Sequence, residues 1–210
     1  MAVQKVFKRY EYKYLLTREQ KELLQNVMEE YMIPDEYGKS TICNLYFDTP
    51  QYLLIRRSIE NKVYKEKVRL RTYGRAEPAG EAFIELKKKY KKVVYKRRIC
   101  TEYEKAIQYL CRGERVVGES QIGEELDYAL RLYQGIRPAM WLSYEREAFY
   151  GKEDHELRMT FDQNILWRTE DLDLSSPIYG RSLLDEDQSL LEIKVGHAIP
   201  LWLSHLDRKS

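Results

Sequence analysis

The chain has 210 residues, 43% hydrophobic and 33% charged, enough apolar material for a core and more charge than the roughly 25% of ordinary soluble chains. With 36 basic and 34 acidic side chains the net charge is +2, which excludes a uniformly basic nucleic-acid binder. No apolar run reaches the roughly 20 residues of a bilayer span and no signal pattern opens the chain, so the expectation is a cytoplasmic protein without its own membrane span.

Charge is unevenly spread: residues 1–100 hold 23 basic and 13 acidic side chains, residues 101–210 hold 13 and 21. Such a split points to a local anion site rather than a general affinity for polyanions. Cys43, Cys100 and Cys111 are widely spaced and odd in number, fitting neither a disulfide framework nor a zinc site. With no Pro/Gly/Ser-rich linker and no repeat, residues 1–210 read as one domain.

In chain order, a helix is predicted over Thr17–Tyr31, with Thr17 and Gln20 at capping-box spacing and a stripe of Leu23, Leu24, Val27, Met28 and Tyr31. A short helix is expected after Asp48-Thr49-Pro50, with the proline at its first position. Further helices are expected near 102–112, over 120–134 ending at Gly135, and through Ile199–Leu206.

The other segments alternate with period two, so each strand has one charged and one mainly apolar face. In Arg9–Tyr14 the charged residues oppose Tyr10, Tyr12 and Tyr14, expected to pack beneath helices. Lys65, Lys67, Arg69 and Arg71 share one face; Glu81, Phe83, Glu85, Lys87 and Lys89 share another, opposite Ala82, Ile84 and Leu86. Arg158, Thr160 and Asp162 oppose Leu157, Met159 and Phe161, while Glu192 and Lys194 oppose Leu191, Ile193 and Val195. Ordinary half-exposed strands would show this pattern too. The faces are dominated by Arg and Lys, however, and four like charges in a row repel unless an anion compensates them. The architecture expected is α+β: a closed antiparallel barrel with helices outside, the charged faces lining a lumen. A lumen rich in Arg and Lys with a few Glu suits a long phosphate anion and a divalent metal.

The strands resemble the catalytic domain of the vacuolar transporter chaperone family of polyphosphate polymerases, among the triphosphate tunnel metalloenzymes. The resemblance runs from about Lys5 to Leu203. It rests on Phe7-Lys8-Arg9-Tyr10-Glu11-Tyr12-Lys13-Tyr14, Asn44-Leu45-Tyr46-Phe47-Asp48-Thr49, Val68-Arg69-Leu70-Arg71-Thr72-Tyr73-Gly74, Phe83-Ile84-Glu85-Leu86-Lys87, Tyr144-Glu145-Arg146-Glu147-Ala148-Phe149, Leu157-Arg158-Met159-Thr160-Phe161-Asp162 and Leu191-Glu192-Ile193-Lys194, in that order. It implies a closed tunnel fold and synthesis of polyphosphate from ATP. Lys13, Arg69, Arg71, Lys87, Arg146 and Arg158 match the family's phosphate ligands in the tunnel, and Glu192 matches the carboxylate that holds Mn2+ or Mg2+. Glu11, Glu85, Lys67 and Lys194 share those faces as further substrate-binding candidates.

Two departures bear on activity. Related tunnel hydrolases carry Glu-x-Glu-x-Lys on the first strand, where this chain has Arg9, Glu11 and Lys13; the resemblance then favours the polymerase branch. Family members also continue beyond Ile199–Leu203 into a helix and a Ser-Lys-Tyr-like motif, which this sequence, ending at Ser210, does not contain. A non-catalytic polyphosphate or triphosphate binding module is the alternative, and a tunnel triphosphatase a weaker one. The partners implied are ATP and polyphosphate or triphosphate, not nucleic acid, with a membrane-protein partner possible. His155, His197 and His205 lack metal-ligand spacing and are expected at the surface or at helix caps. The basic run from Lys87 to Arg98 is expected to divide between a solvated outer half and an inner half beginning with Lys87.

Overall fold

The computed structural model describes residues 10–61, 63–91, 93–114, 120–196 and 198–207. Arg9 and His197 lie outside the described residues, as does the side chain of His205; His155 is exposed. The elements follow the order β1 (Tyr10–Thr17), α1 (Arg18–Tyr31), β2 (Met32–Asp48), α2 (Leu53–Glu60), β3 (Tyr64–Tyr73), β4 (Glu81–Tyr90), β5 (Val93–Glu102), α3 (Tyr103–Ile107, continued by a π-helical stretch Gln108–Arg112), α4 (Gln121–Leu132), β6 (Arg137–Gly151), β7 (Arg158–Arg168), β8 (Arg181–Ser182), β9 (Gln188–Val195) and α5 (Leu201–Asp207). None of the described helices is long and apolar enough to cross a membrane.

Hydrogen bonding orders the strands β1-β9-β7-β6-β2-β3-β4-β5, with β8 beside β7. The described pairings are antiparallel. This strand path is open, with β1 and β5 at its ends, so the pairings establish an antiparallel sheet with helices and not the closed barrel expected. Two compact units interleave along the chain. One takes the described residues of Met1–Ser40, Glu145–Ile165 and Leu183–Ser210, the other Thr41–Tyr144 and Leu166–Ser182.

Alternation places the core of each unit. In the first, Leu157, Met159 and Phe161 of β7 and Leu191, Ile193 and Val195 of β9 pack with Leu24 and Met28 of α1 and with Met32 and Leu203. In the second, Val68, Leu70, Ala82, Ile84 and Leu86 pack with Tyr103, Ala106, Tyr109 and Leu110 and with Leu126, Ala129 and Tyr133. These are the apolar faces read from the sequence.

Thr17 caps α1 as its spacing predicts: its hydroxyl accepts from the Gln20 backbone N–H, and the Gln20 side chain accepts from the Thr17 N–H. The expected stripe is narrower than its five residues, because Leu23 is exposed. Buried Lys21 joins that face instead, donating to Glu147 and to Gln163, each at 2.8 Å. Tyr10 and Tyr12 are exposed, and only Tyr14 of that trio packs against the core; the helix side of β1 is covered only near Tyr14 and Leu16.

The helix after Asp48 begins later than expected. Pro50 lies in the preceding turn, and Tyr52, with φ +56°, is the N-cap. Its amides are held from upstream: the buried Asp48 carboxylate accepts from the backbone N–H groups of Thr49, Leu54 and Ile55 at 2.8–2.9 Å, and the Thr49 hydroxyl accepts from Leu53. A carboxylate at a helix N-terminus satisfies orphan donors and favours the helix dipole. Asp48→Ala should therefore lower stability by about 2–3 kcal/mol, read as a lower urea midpoint with an unchanged slope; a midpoint equal to the parent's would contradict this capping role.

Candidate functional site

Each unit carries a charged cluster on the sheet face away from its core. In the second unit, register assembles the face in rows. Lys65 pairs Lys89; Lys67 pairs Lys87, which pairs Lys96; Arg69 pairs Glu85, which pairs Arg98; Arg71 pairs Phe83, which pairs Cys100. Adjacent β2 adds Tyr46 beside Arg69 and Asn44 beside Arg71. These rows hold eight cations and one carboxylate, Glu85.

Glu85 is almost fully buried and gathers the cations around it. Arg69 Nε donates to Oε2 at 2.6 Å, while Lys96, Arg98 and Arg71 lie 2.7, 3.3 and 3.9 Å from Oε1. Burial alone would raise its pKa, but Arg69, Arg71 and Lys96 outweigh that and hold it at about 2. Neighbouring groups report the remaining positive potential. The Tyr46 phenol is lowered despite burial, by Arg69, Lys67 and Arg71. Lys96 is lowered by burial and by Arg71 and Arg69, against the pull of Glu85. Arg69 also donates to the Tyr46 hydroxyl at 3.1 Å, and buried Arg71 to Asn44 Oδ1 at 3.0 Å and the Tyr144 hydroxyl at 3.4 Å. Thus Arg69 and Arg71 are preorganised by neutral and acidic acceptors, while Lys67 and Lys87 stand at the exposed end of the face.

The first unit's cluster is balanced. Glu192 pairs in register with Lys13 and Thr160, and Lys194 with Glu11 and Arg158. Lys13 Nζ lies 3.0 Å from Glu192 and 3.3 Å from Glu11, and Lys194 donates to Glu192. Burial would raise the Glu192 carboxyl, yet Lys194 and Lys13 pull it well below the usual carboxylate range. Burial would lower Lys13, but Glu192 and Glu11 raise it. Arg146 donates both arms of its fork to Asp162 at 2.6 Å. Arg158 lies 3.8 Å from Asp35 and stacks 4.9 Å from the Tyr150 ring centroid.

The six expected phosphate ligands thus fall into two groups: Arg69, Arg71 and Lys87 in the cation-rich face, and Lys13, Arg146 and Arg158 in the balanced cluster. Sequence reading did not single out Lys96 and Arg98 as members of the cation-rich face, although their alternation with Arg97 was the available signal. The outer half of that basic run is paired, not simply solvated: Arg97 donates to Glu125 at 3.1 Å and Lys88 lies 3.5 Å from the buried Glu66.

The first cluster has donors suited to a divalent cation. An ammonium already sits between the Glu11 and Glu192 carboxylates, and the buried Thr160 hydroxyl, in register with Glu192, makes no hydrogen bond within the described structure. Two carboxylates and a hydroxyl suit an ion that keeps waters and phosphate oxygens as further ligands. Among the described residues no group of three or more His, Cys, Asp or Glu side chains forms an all-protein metal cage.

Residues 8–210 match the family model described as the VTC domain. A Bacillus halodurans protein bearing an adenylate cyclase name is similar at 15% identity and TM-score 0.55, over 89% of this chain and 81% of its own. A Hippeastrum protein, named for adenylyl cyclase and described as having a dominant triphosphatase activity, is similar at 13% identity and TM-score 0.53, over 95% of this chain and 83% of its own. These likenesses are of fold. No curated protein matched the sequence.

Because the Glu85 pKa is depressed, the stability it contributes is present above its ordinary value near 4.5 and lost as pH falls toward 2. Glu85→Gln should unfold at lower urea than the parent at pH 7 by about 3 kcal/mol, and should lose less stability between pH 5 and pH 2.5. Parallel curves for both proteins across that interval would rule out the assigned role.

Proposed function

Since the chain belongs to the VTC domain family, we propose that it synthesises inorganic polyphosphate from ATP by metal-assisted phosphoryl transfer. The observation that carries this reading is the four rows of the β3–β4–β5 face from Lys65 to Arg71, eight cations around a single buried carboxylate, Glu85. Phosphoryl transfer depends on positioning and charge neutralisation more than on covalent catalysis. Arg69 and Arg71 supply planar forks for phosphoryl oxygens, and Lys67, Lys87 and Lys96 supply point charges for a longer anion. Closure of the sheet into a tunnel, as the family resemblance implies, is part of this reading.

Glu192 and Glu11 would hold a Mn2+ or Mg2+ ion. When bound, that ion neutralises charge on the transferred phosphoryl group. The lysines that now neutralise these carboxylates, Lys13 and Lys194, would then turn to phosphate oxygens, with Arg146 and Arg158 as further ligands. The acceptor is a phosphate oxygen already ionised at neutral pH, so no general base is needed. A cytoplasmic location belongs to the same proposal, as that is where ATP is supplied.

The direct test incubates the full chain with ATP and manganese and separates polymer from free phosphate. Long polyphosphate is expected. Free phosphate alone would indicate a triphosphatase, and tight polyphosphate binding without turnover a binding module; either result overturns the polymerase reading. Arg69→Ala should weaken binding of inorganic triphosphate at least tenfold, as expected for loss of a charge-assisted bidentate contact worth about 1.5–3 kcal/mol; unchanged binding would remove this face from the site.

Glu192→Gln separates metal binding from a structural ion pair. Lys13 and Lys194 keep 51% and 35% of their side chains exposed, so both can turn to water and the stability loss should stay under about 1 kcal/mol. Manganese-dependent turnover should disappear. A Gln variant with full metal-dependent turnover would sink the assignment.

A further inference from the structure

At one end of the cation-rich face the rows change character. Phe83 precedes Glu85 by two residues along β4 and Tyr73 follows Arg71 by two along β3, so two aromatic rings stand on the same face as the arginines. Their centroids are 5.8 Å apart at 83°, an edge-to-face pair. Same-face neighbours along a strand are about 6.6–6.8 Å apart, so Phe83 lies one row beyond Arg69, Glu85 and Arg98, and Tyr73 one row further. The Phe83 ring has no donor for a phosphate oxygen, and at this position it needs another explanation.

Arg98 supplies it. Its guanidinium carbon sits over the Phe83 ring, 3.6 Å from the centroid. Its edge is pinned at two points: Nε is 3.3 Å from Glu85 and Nη2 donates to the Tyr73 hydroxyl at 3.4 Å. One side and two edge positions are thereby engaged, and 35% of the side chain stays exposed. A guanidinium plane held this way is a stacking surface for a flat heterocycle, since bases stack on Arg planes as they do on aromatic rings. Lys at this position would keep the charge and lose the plane.

We infer that Arg98, shelved on Phe83 and edged by Tyr73, receives the base of a nucleoside triphosphate whose phosphates lie along the arginine and lysine rows. Arg98 is the contacting residue; Phe83 and Tyr73 are positioning residues that hold its plane. The inference rests on the phosphate reading of this face and adds a base subsite to it. Inorganic triphosphate would use only the cation rows, whereas ATP would use the platform as well.

The test compares the affinities of ATP and inorganic triphosphate by titration calorimetry for the parent, Arg98→Lys, Phe83→Leu and Arg69→Ala. In Arg98→Lys, ATP should bind about tenfold more weakly, a loss within the range of base stacking, while inorganic triphosphate changes less than about twofold. Phe83→Leu should show the same selective loss. Equal losses for both ligands in Arg98→Lys would make Arg98 a fork for phosphate rather than a base platform, and unchanged ATP affinity would leave no base contact; either result overturns the inference. Arg98→Lys changes a partly exposed position and conserves charge, so it remains informative if Phe83→Leu fails to fold. A parent that binds inorganic triphosphate no better than its Arg69→Ala variant would refute the phosphate reading itself, and the base subsite with it.

Discussion

A single buried carboxylate in a field of cations sets the terms for the second unit. The Lys65, Lys67, Arg69 and Arg71 row faces another row on β4 and a third on β5, and like charges opposite one another destabilise a sheet. Glu85 occupies the point where these rows cross and draws Arg69, Arg71, Lys96 and Arg98 inward. One negative charge cannot neutralise four positive ones. It fixes the guanidinium planes and leaves a surplus, so an arriving anion meets groups already oriented and loses little to reorganisation.

The first unit solves the opposite problem. Lys13, Lys194, Arg146 and Arg158 face Glu11, Glu192, Asp162 and Asp35, charge for charge. The signs of the shifts separate the two clusters. Lys13 is raised by its carboxylates against its burial, whereas Lys96 is lowered by burial and by Arg71 and Arg69, and the phenols of Tyr46 and Tyr73 are lowered by surrounding cations despite burial. A balanced set of hard oxygen donors suits a cation that arrives with its own ligands, and a cationic surplus suits the anion.

Charges on the core side follow another rule: each is buried with a partner. Lys21 reaches Glu147 and Gln163. Glu66 accepts from the Tyr133 hydroxyl and lies near Lys88. Arg168 stacks on Trp141 and Tyr179 while donating to the carbonyls of Asp171, Asp173 and Tyr179. An unpaired charge at such positions would cost several kcal/mol, so these buried charges are structural.

Period-two alternation was enough to determine which side chains of β3, β4, β7 and β9 share a face, because strand stereochemistry sends successive side chains to opposite sides whatever their neighbours. The same local rule located both apolar cores and, with capping chemistry, the start of α1. It did not locate the start of α2, where Asp48 caps amides several residues ahead and Pro50 is left in the turn. Nor did it distinguish a surplus from a balance of charge. That depends on which strands lie side by side and in what register: Glu85 meets Arg98 across β4 and β5, Glu192 meets Lys13 across β9 and β1, and Arg146 spends its fork on Asp162. Side-chain direction is a property of each residue's own backbone and is written in the sequence. Compensation of charge is a property of pairs brought together from distant parts of the chain, and only the tertiary structure decides it.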